Sequence, residues 1–71
     1  MPNEKKLRAR IIEMGYTIKS LAKTMKLSAY TLGRKISGKA PMSIDEAFRL
    51  MELLKIPETD FSLYFSAIPV A

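Results

Sequence analysis

The sequence predicts an all-α protein, a compact bundle of four to five short helices, and three observations support this prediction. The chain has 71 residues, of which 48% are hydrophobic and 27% charged, which is typical of one small globular domain spanning residues 1–71. It contains no cysteine and no histidine, so neither a disulfide nor a usual zinc site can stabilise the fold. Apolar residues recur at helical spacing, which suits a chain that must fold by packing alone.

The first half of the chain contains the patterns of three helices. The first covers residues 3–14 and ends before Gly15, a residue typical of helix C-termini. Thr17 and Ser28 have the residue type and position of N-caps for the second and third helices, and Gly38 ends the third. The predicted buried stripes are Leu7, Ile11 and Met14, then Ile18, Leu21, Ala22 and Met25, then Leu32 and Ile36.

A fourth helix is predicted over residues 44–55. It follows Ser43 and Glu46, which form the capping-box pattern S-x-x-E. Its predicted buried residues are Ile44, Ala47, Phe48, Met51 and Leu54. Asp45 and Arg49 are spaced at i, i+4 and are expected to pair on its surface.

The C-terminal segment, residues 57–71, is predicted to form a short fifth helix and an extended tail over residues 68–71. We expect Phe61 and Phe65 to close the core. The apolar residues in excess of that need predict a twofold dimer interface; they are Leu50, Leu53, Leu63, Tyr64, Ile68 and Val70.

The net charge of +5 is divided unequally along the chain. Residues 1–39 carry ten basic and two acidic side chains, whereas residues 40–71 carry two basic and five acidic ones. A basic field attracts polyanions, which makes nucleic acid or an anionic membrane the leading kind of partner. A basic surface that serves only solubility explains the charge alone equally well.

Residues 17–38 fit the packing requirements of a helix-turn-helix. Two short helices joined by a tight turn cross steeply and need small or apolar residues at fixed places. Ala22 is small where the helices approach each other, Leu27 can fill the gap at the turn, and Leu32 faces the second helix.

Residues 21–39 read L-A-K-T-M-K-L-S-A-Y-T-L-G-R-K-I-S-G-K. This stretch resembles the helix-turn-helix proteins of the phage Cro and lambda-repressor type, in particular short prophage regulators. The resemblance covers most of the chain. Two positions depart from the pattern: Lys26 stands where glycine is common because the backbone is left-handed, and Gly33 lies inside the third helix at a cost of about 1 kcal/mol.

The resemblance implies a Cro-like, sequence-specific transcriptional regulator, of phage or prophage type and acting as a repressor. Such proteins place the third helix, here residues 28–37, in the major groove of an operator that is often palindromic and bound by a homodimer. Leu32 and Ile36 face inward, so the opposite side is offered to DNA. The expected base contacts are Ser28, Ala29, Tyr30 and Arg34; the expected phosphate contacts are Thr17, Lys19, Lys35, Ser37 and Lys39.

The main alternative keeps the fold and changes the partner to a protein, as in an antirepressor or antitoxin. A membrane-surface peptide would require the basic first helix to act alone, and its stripe is better explained by core packing. We do not expect an enzyme, since imidazole and thiolate chemistry are absent and the carboxylates sit at helix starts. No cofactor, metal or small-molecule substrate is expected, and the absence of cysteine and of an export signal favours the cytoplasm.

Overall fold

A computed structural model describes residues 2–65 of the chain. Five α-helices follow one another: α1 (Glu4–Glu13), α2 (Ile18–Thr24), α3 (Ala29–Ile36), α4 (Ile44–Leu53) and, after a 3-10 turn at Glu58–Asp60, α5 (Phe61–Tyr64). The radius of gyration is 10.9 Å, close to the value of about 11 Å expected for a folded chain of this size. No strand occurs within the described residues, and the all-α prediction is confirmed.

The helix boundaries lie where the caps predicted them. Thr17, Ser28 and Ser43 each accept a hydrogen bond from the backbone N–H three residues later, which satisfies a donor that the helix itself leaves unpaired. Gly15 and Gly38 follow α1 and α3 with φ of +83° and +80°, the left-handed conformation that glycine adopts without a steric penalty.

One hydrophobic core holds the helices together. Every helix from α1 to α4 contributes to it, and Phe65, directly after α5, closes it from the C-terminal side. The buried residues are Leu7, Ile11, Leu21, Ala22, Leu32, Ile36, Ala47, Leu50, Met51, Leu54, Ile56 and Phe65. The predicted roles of Phe61 and Phe65 are confirmed, since Phe65 is buried and Phe61 packs against the core.

The predicted buried face of α4 was partly wrong. Ile44 is 41% exposed and Phe48 43% exposed, whereas Leu50, predicted for a dimer interface, is fully buried and Leu53 packs against the core. The physical reason is that α4 turns the side carrying Ala47, Leu50 and Met51 toward the core. An apolar stripe this wide leaves one edge of the helix in solvent.

Two further details of α4 differ from the prediction. The helix ends at Leu53 with Leu54 as its C-cap, two residues earlier than expected, because Lys55 adopts φ of +54°. Asp45 and Arg49 are not among the ion pairs formed by the described residues. Both side chains are exposed, where an ion pair gains little over hydration.

Arg10 of α1 forms hydrogen bonds with the C-terminal end of α4. Its Nε donates to the carbonyl oxygen of Leu54 at 2.9 Å and its Nη2 to that of Lys55 at 3.1 Å. A guanidinium is well placed there, since the last carbonyls of a helix lack partners and carry partial negative charge. At the other end of α1, the backbone N–H of Asn3 donates to the carbonyl of Tyr64 at 2.7 Å. Both ends of α1 are thus tied to the C-terminal half.

The predicted extended tail, with Ile68 and Val70, lies outside the described residues. Within residues 2–65, no helix is both long and apolar enough to cross a membrane.

Candidate nucleic-acid interface

The helices α2 and α3 form a unit joined by a turn of four residues, 25–28. Lys26 adopts φ of +60° in this turn, as its position predicted, and the turn is fixed by the N–H of Leu27 donating to the carbonyl of Ala22 at 2.9 Å. The side chain of Leu27 is half-buried against the core. Among the described elements, α2 and α3 pack on each other most extensively, which gives α3 a fixed position relative to α2.

The outer face of α3 consists of polar and small residues. Leu32 and Ile36 are fully buried, so the residues one half-turn away must face solvent. Tyr30 is 74% exposed, and Ala29 and Arg34 are exposed as well. All four predicted base contacts are therefore accessible: Ser28 and Ala29 at the start of α3, and Tyr30 and Arg34 on its outer face.

Arg34 is held in place by two neighbours on this surface. Its Nη2 donates to the carbonyl oxygen of Lys39 at 3.0 Å, and its Cζ lies 5.8 Å from the centroid of the Tyr30 ring, within the range of a cation–π contact. The backbone carbonyl of Arg34 in turn accepts hydrogen bonds from the N–H groups of Lys39 and Ala40. The loop after α3 is thus folded back onto Arg34.

The two serines at the ends of α3 are engaged in capping. Ser28 Oγ accepts from the N–H of Thr31 and donates to Thr31 Oγ1 at 2.8 Å. Ser37 Oγ donates to the carbonyl of Arg34 at 3.1 Å. Each hydroxyl has only one proton to donate, so either serine must release its partner before donating to DNA.

An open groove of about 540 Å³ lies where α2 meets the start of α3. Its lining residues are Thr17, Lys19, Ser20, Lys23, Leu27 and Ala29. Thr17 and Ser20 close a capping box, with each side chain accepting from the other's backbone N–H, so the Thr17 N–H is already paired. Lys23 was missed by the sequence analysis, although its i, i+4 spacing from Lys19 places both on one side of α2.

Lys35 is turned away from this surface. Its Nζ pairs with Glu46 Oε2 at the start of α4, and its side chain is only 17% exposed. The hydrogen bond from Lys35, supported by those from the backbone and hydroxyl of Ser43, lowers the pKa of the Glu46 carboxyl. Lys35 therefore links α3 to α4, and its ammonium group is not free to contact a phosphate as the sequence predicted.

The segment that forms α2 and α3 contains no acidic residue. Between Glu13 and Asp45 the sequence contains no Asp or Glu but six cationic residues. Of these six only Lys35 forms an ion pair within the described residues. The five others are Lys19, Lys23, Lys26, Arg34 and Lys39, and all are exposed. A positive potential therefore accumulates on this part of the protein.

Fold and site together define a small all-α protein with a basic α2–α3 surface. The chain belongs to a family described as proteins of unknown function, DUF739, whose profile matches residues 3–67. Searches of curated proteins and of solved structures gave no match.

Proposed function

We propose that the protein is a sequence-specific DNA-binding transcriptional regulator that inserts α3 into the major groove. One observation carries the proposal: Tyr30 and Arg34 share the exposed face of a short helix whose opposite face is fully buried, and Ala29 is exposed at the start of that helix. A helix presented in this way fits the groove and can read base edges. The resemblance to Cro-type and lambda-repressor-type proteins supports the same role, that of a phage or prophage repressor.

Arg34 is the proposed reader of a guanine. A guanidinium can donate side by side to O6 and N7 of guanine, and such a pair discriminates against the wrong base by about 1–3 kcal/mol. Ala29, also exposed, is suited to an apolar contact with a thymine methyl. Ser28 remains a candidate donor only where its hydroxyl releases Thr31 Oγ1.

The proposed phosphate contacts flank α3 on both sides. Lys19 and Lys23 lie along the groove at the start of α3, and Lys39 lies in the loop after it, with an exposed side chain. Thr17 can add its hydroxyl proton, since its oxygen serves as acceptor in the capping box. These contacts fix the position of the protein on the duplex without selecting a sequence.

We further propose a homodimer that binds a palindromic operator. The exposed edge of α4, Ile44 and Phe48, replaces the buried Leu50 as the proposed interface. The Phe48 ring lies 5.3 Å from that of Phe61, which extends the apolar surface toward α5. Two copies related by a twofold axis would present two α3 helices to successive major grooves.

Selection of bound sites from random DNA tests the proposal, followed by affinity titrations at several salt concentrations. We expect Arg34→Ala to weaken binding to the selected site about 5- to 150-fold for each half-site bound, while leaving binding to random DNA almost unaffected. Lys39→Ala should weaken binding to both kinds of DNA alike. It should also lower the salt slope, which is the slope of log affinity against log salt concentration, by about 1 for each half-site bound. Arg49→Ala, an exposed cation on α4, is the matched control and should change neither. If all three variants changed the affinity for the selected site and for random DNA in the same way, the proposal would be contradicted.

A protein-interaction module, such as an antirepressor or antitoxin, is the second candidate. It is favoured by an apolar groove of about 380 Å³ beside Phe48, which is lined by Met51, Ile56 and Pro57 and bordered by two glutamates. Such a groove suits an apolar segment of another protein. A chain that shows no salt-dependent DNA binding but forms a stable complex with a co-purifying protein would support this candidate.

A further inference from the structure

We propose that Tyr30 is a positioning residue for Arg34: it holds the guanidinium ready for a guanine instead of contacting DNA through its own hydroxyl. The inference rests on the proposed function, since it concerns how the same surface distinguishes its DNA sites. It makes guanine discrimination a property of the Tyr30–Arg34 pair.

Two contacts restrain Arg34. The Tyr30 ring centroid lies 5.8 Å from Cζ, and the Lys39 carbonyl accepts a hydrogen bond from Nη2. A long side chain on a solvent-exposed helix face ordinarily samples many rotamers, and fixing it on binding is unfavourable. Two restraints present before binding remove part of that cost, which is how preorganisation raises affinity.

The restraints leave Arg34 able to read a base. A guanidinium has five N–H groups. Within residues 2–65, the Arg34 guanidinium donates a single hydrogen bond, to the Lys39 carbonyl. No carboxylate competes for it, since Arg34 forms no ion pair with the described residues. The free N–H groups therefore remain available for the O6 and N7 acceptors of guanine.

Packing of the fold does not explain why position 30 carries an aromatic residue. Tyr30 is 74% exposed and is absent from the residues that pack against the core. Its i, i+4 spacing from Arg34 on α3 places the ring beside the guanidinium. Replacing it therefore tests the pair without disturbing the fold.

The experiment compares Tyr30→Leu and Tyr30→Phe in the natural chain and in an Arg34→Ala background. The measured quantity is the ratio of affinities for the selected site and for the same site with the guanine replaced. Tyr30→Leu should reduce this ratio about 2- to 5-fold, the size of an exposed cation–π contact. Tyr30→Phe should preserve it, and Tyr30→Leu should have no further effect once Arg34 is absent.

Three outcomes of the binding experiment would overturn the inference. If Tyr30→Phe lost as much as Tyr30→Leu, the hydroxyl would be contacting DNA itself; if Tyr30→Leu still lowered affinity in the Arg34→Ala background, the ring would act independently of Arg34. ¹⁵Nε relaxation of Arg34 in the free protein adds a test without DNA, in which Tyr30→Leu, but not Tyr30→Phe, should increase the mobility of Nε. A natural chain with no preferred DNA site would refute the proposed function, whereas guanine discrimination that survives Tyr30→Leu would refute only this inference.

Discussion

Lys35 of α3 pairs with Glu46 of α4, and Glu46 accepts from Lys35 with one carboxylate oxygen and from the N–H of Ser43 with the other. One carboxylate thus caps α4 and anchors α3 at the same time. The pair links the helix that is proposed to read DNA to the helix that carries the exposed Phe48. It also explains why a basic residue on α3 has only 17% of its side chain exposed.

Replacement of Lys35 should reduce stability and leave the electrostatics of DNA binding unchanged. We expect Lys35→Met to lower the free energy of unfolding by about 1–3 kcal/mol, since it leaves a partly buried carboxylate without its charged partner. Lys39→Met, at an exposed lysine, should change it by less than about 0.5 kcal/mol. Urea denaturation measures both values. A salt slope of DNA binding that fell with Lys35→Met would contradict the structural role of this residue.

The stability of the protein should depend on pH through Glu46. Its pKa in the folded state is lowered from an ordinary value of 4.5, so the folded state favours the charged carboxylate. The resulting stabilisation is present above pH 4.5 and is lost as the pH falls through the lowered pKa. Denaturation curves from neutral pH to about pH 3 should therefore show a decrease in the free energy of unfolding. Glu46→Gln should remove the part of this decrease that comes from Glu46, because glutamine can still cap α4 but carries no charge. An unchanged pH dependence in that variant would refute the assignment.

The hydrogen bonds from Arg10 to the end of α4 should contribute more than an ordinary surface ion pair. We expect Arg10→Met to lower the free energy of unfolding by about 2 kcal/mol, since hydrogen bonds from a charged donor to two helix-end carbonyls are lost. The control is Arg8→Met. Arg8 forms an i, i+4 pair with Glu4 at 41% and 44% side-chain exposure, and its loss should matter by at most about 0.5 kcal/mol. Equal effects of the two substitutions would contradict this account of α4.

The exposed edge of α4 should control self-association if the protein dimerises as proposed. Phe48→Lys should shift the protein toward a monomer in sedimentation velocity and weaken binding to a palindromic site more than to a half-site. Ile12→Lys is the matched control, since Ile12 is the most exposed large apolar residue described, at 75%, and lies on α1. If Ile12→Lys reduced self-association more than Phe48→Lys, the dimer interface would lie on α1 and not on α4.

Local sequence signals predicted the helix boundaries well. Thr17, Ser28 and Ser43 cap the helices that they were expected to cap, because a capping hydrogen bond spans only three residues and depends little on the rest of the fold. The left-handed backbone at Lys26, with φ of +60°, was an expectation from the resemblance to Cro-type proteins. These features are decided within a few residues of sequence.

Features decided by packing between helices were predicted less well. Seven of the residues from 44 to 54 are large or small apolar ones, so the pattern could not decide whether Phe48 or Leu50 faces the core. Lys35 was expected on the DNA side because its partner, eleven residues away on another helix, cannot be deduced from helical spacing. The Arg34–Lys39 contact was likewise missed, since it depends on how the loop folds back.

Methylation interference at guanine N7 tests the central claim, that α3 reads the major groove through Arg34, most directly. N7 is an acceptor in the major groove, so a methyl group there blocks a bidentate arginine. On the selected site, methylation of one guanine in each half-site should abolish binding of the natural chain and should have little further effect on Arg34→Ala. Binding of the natural chain that is indifferent to N7 methylation at every guanine would contradict the claim.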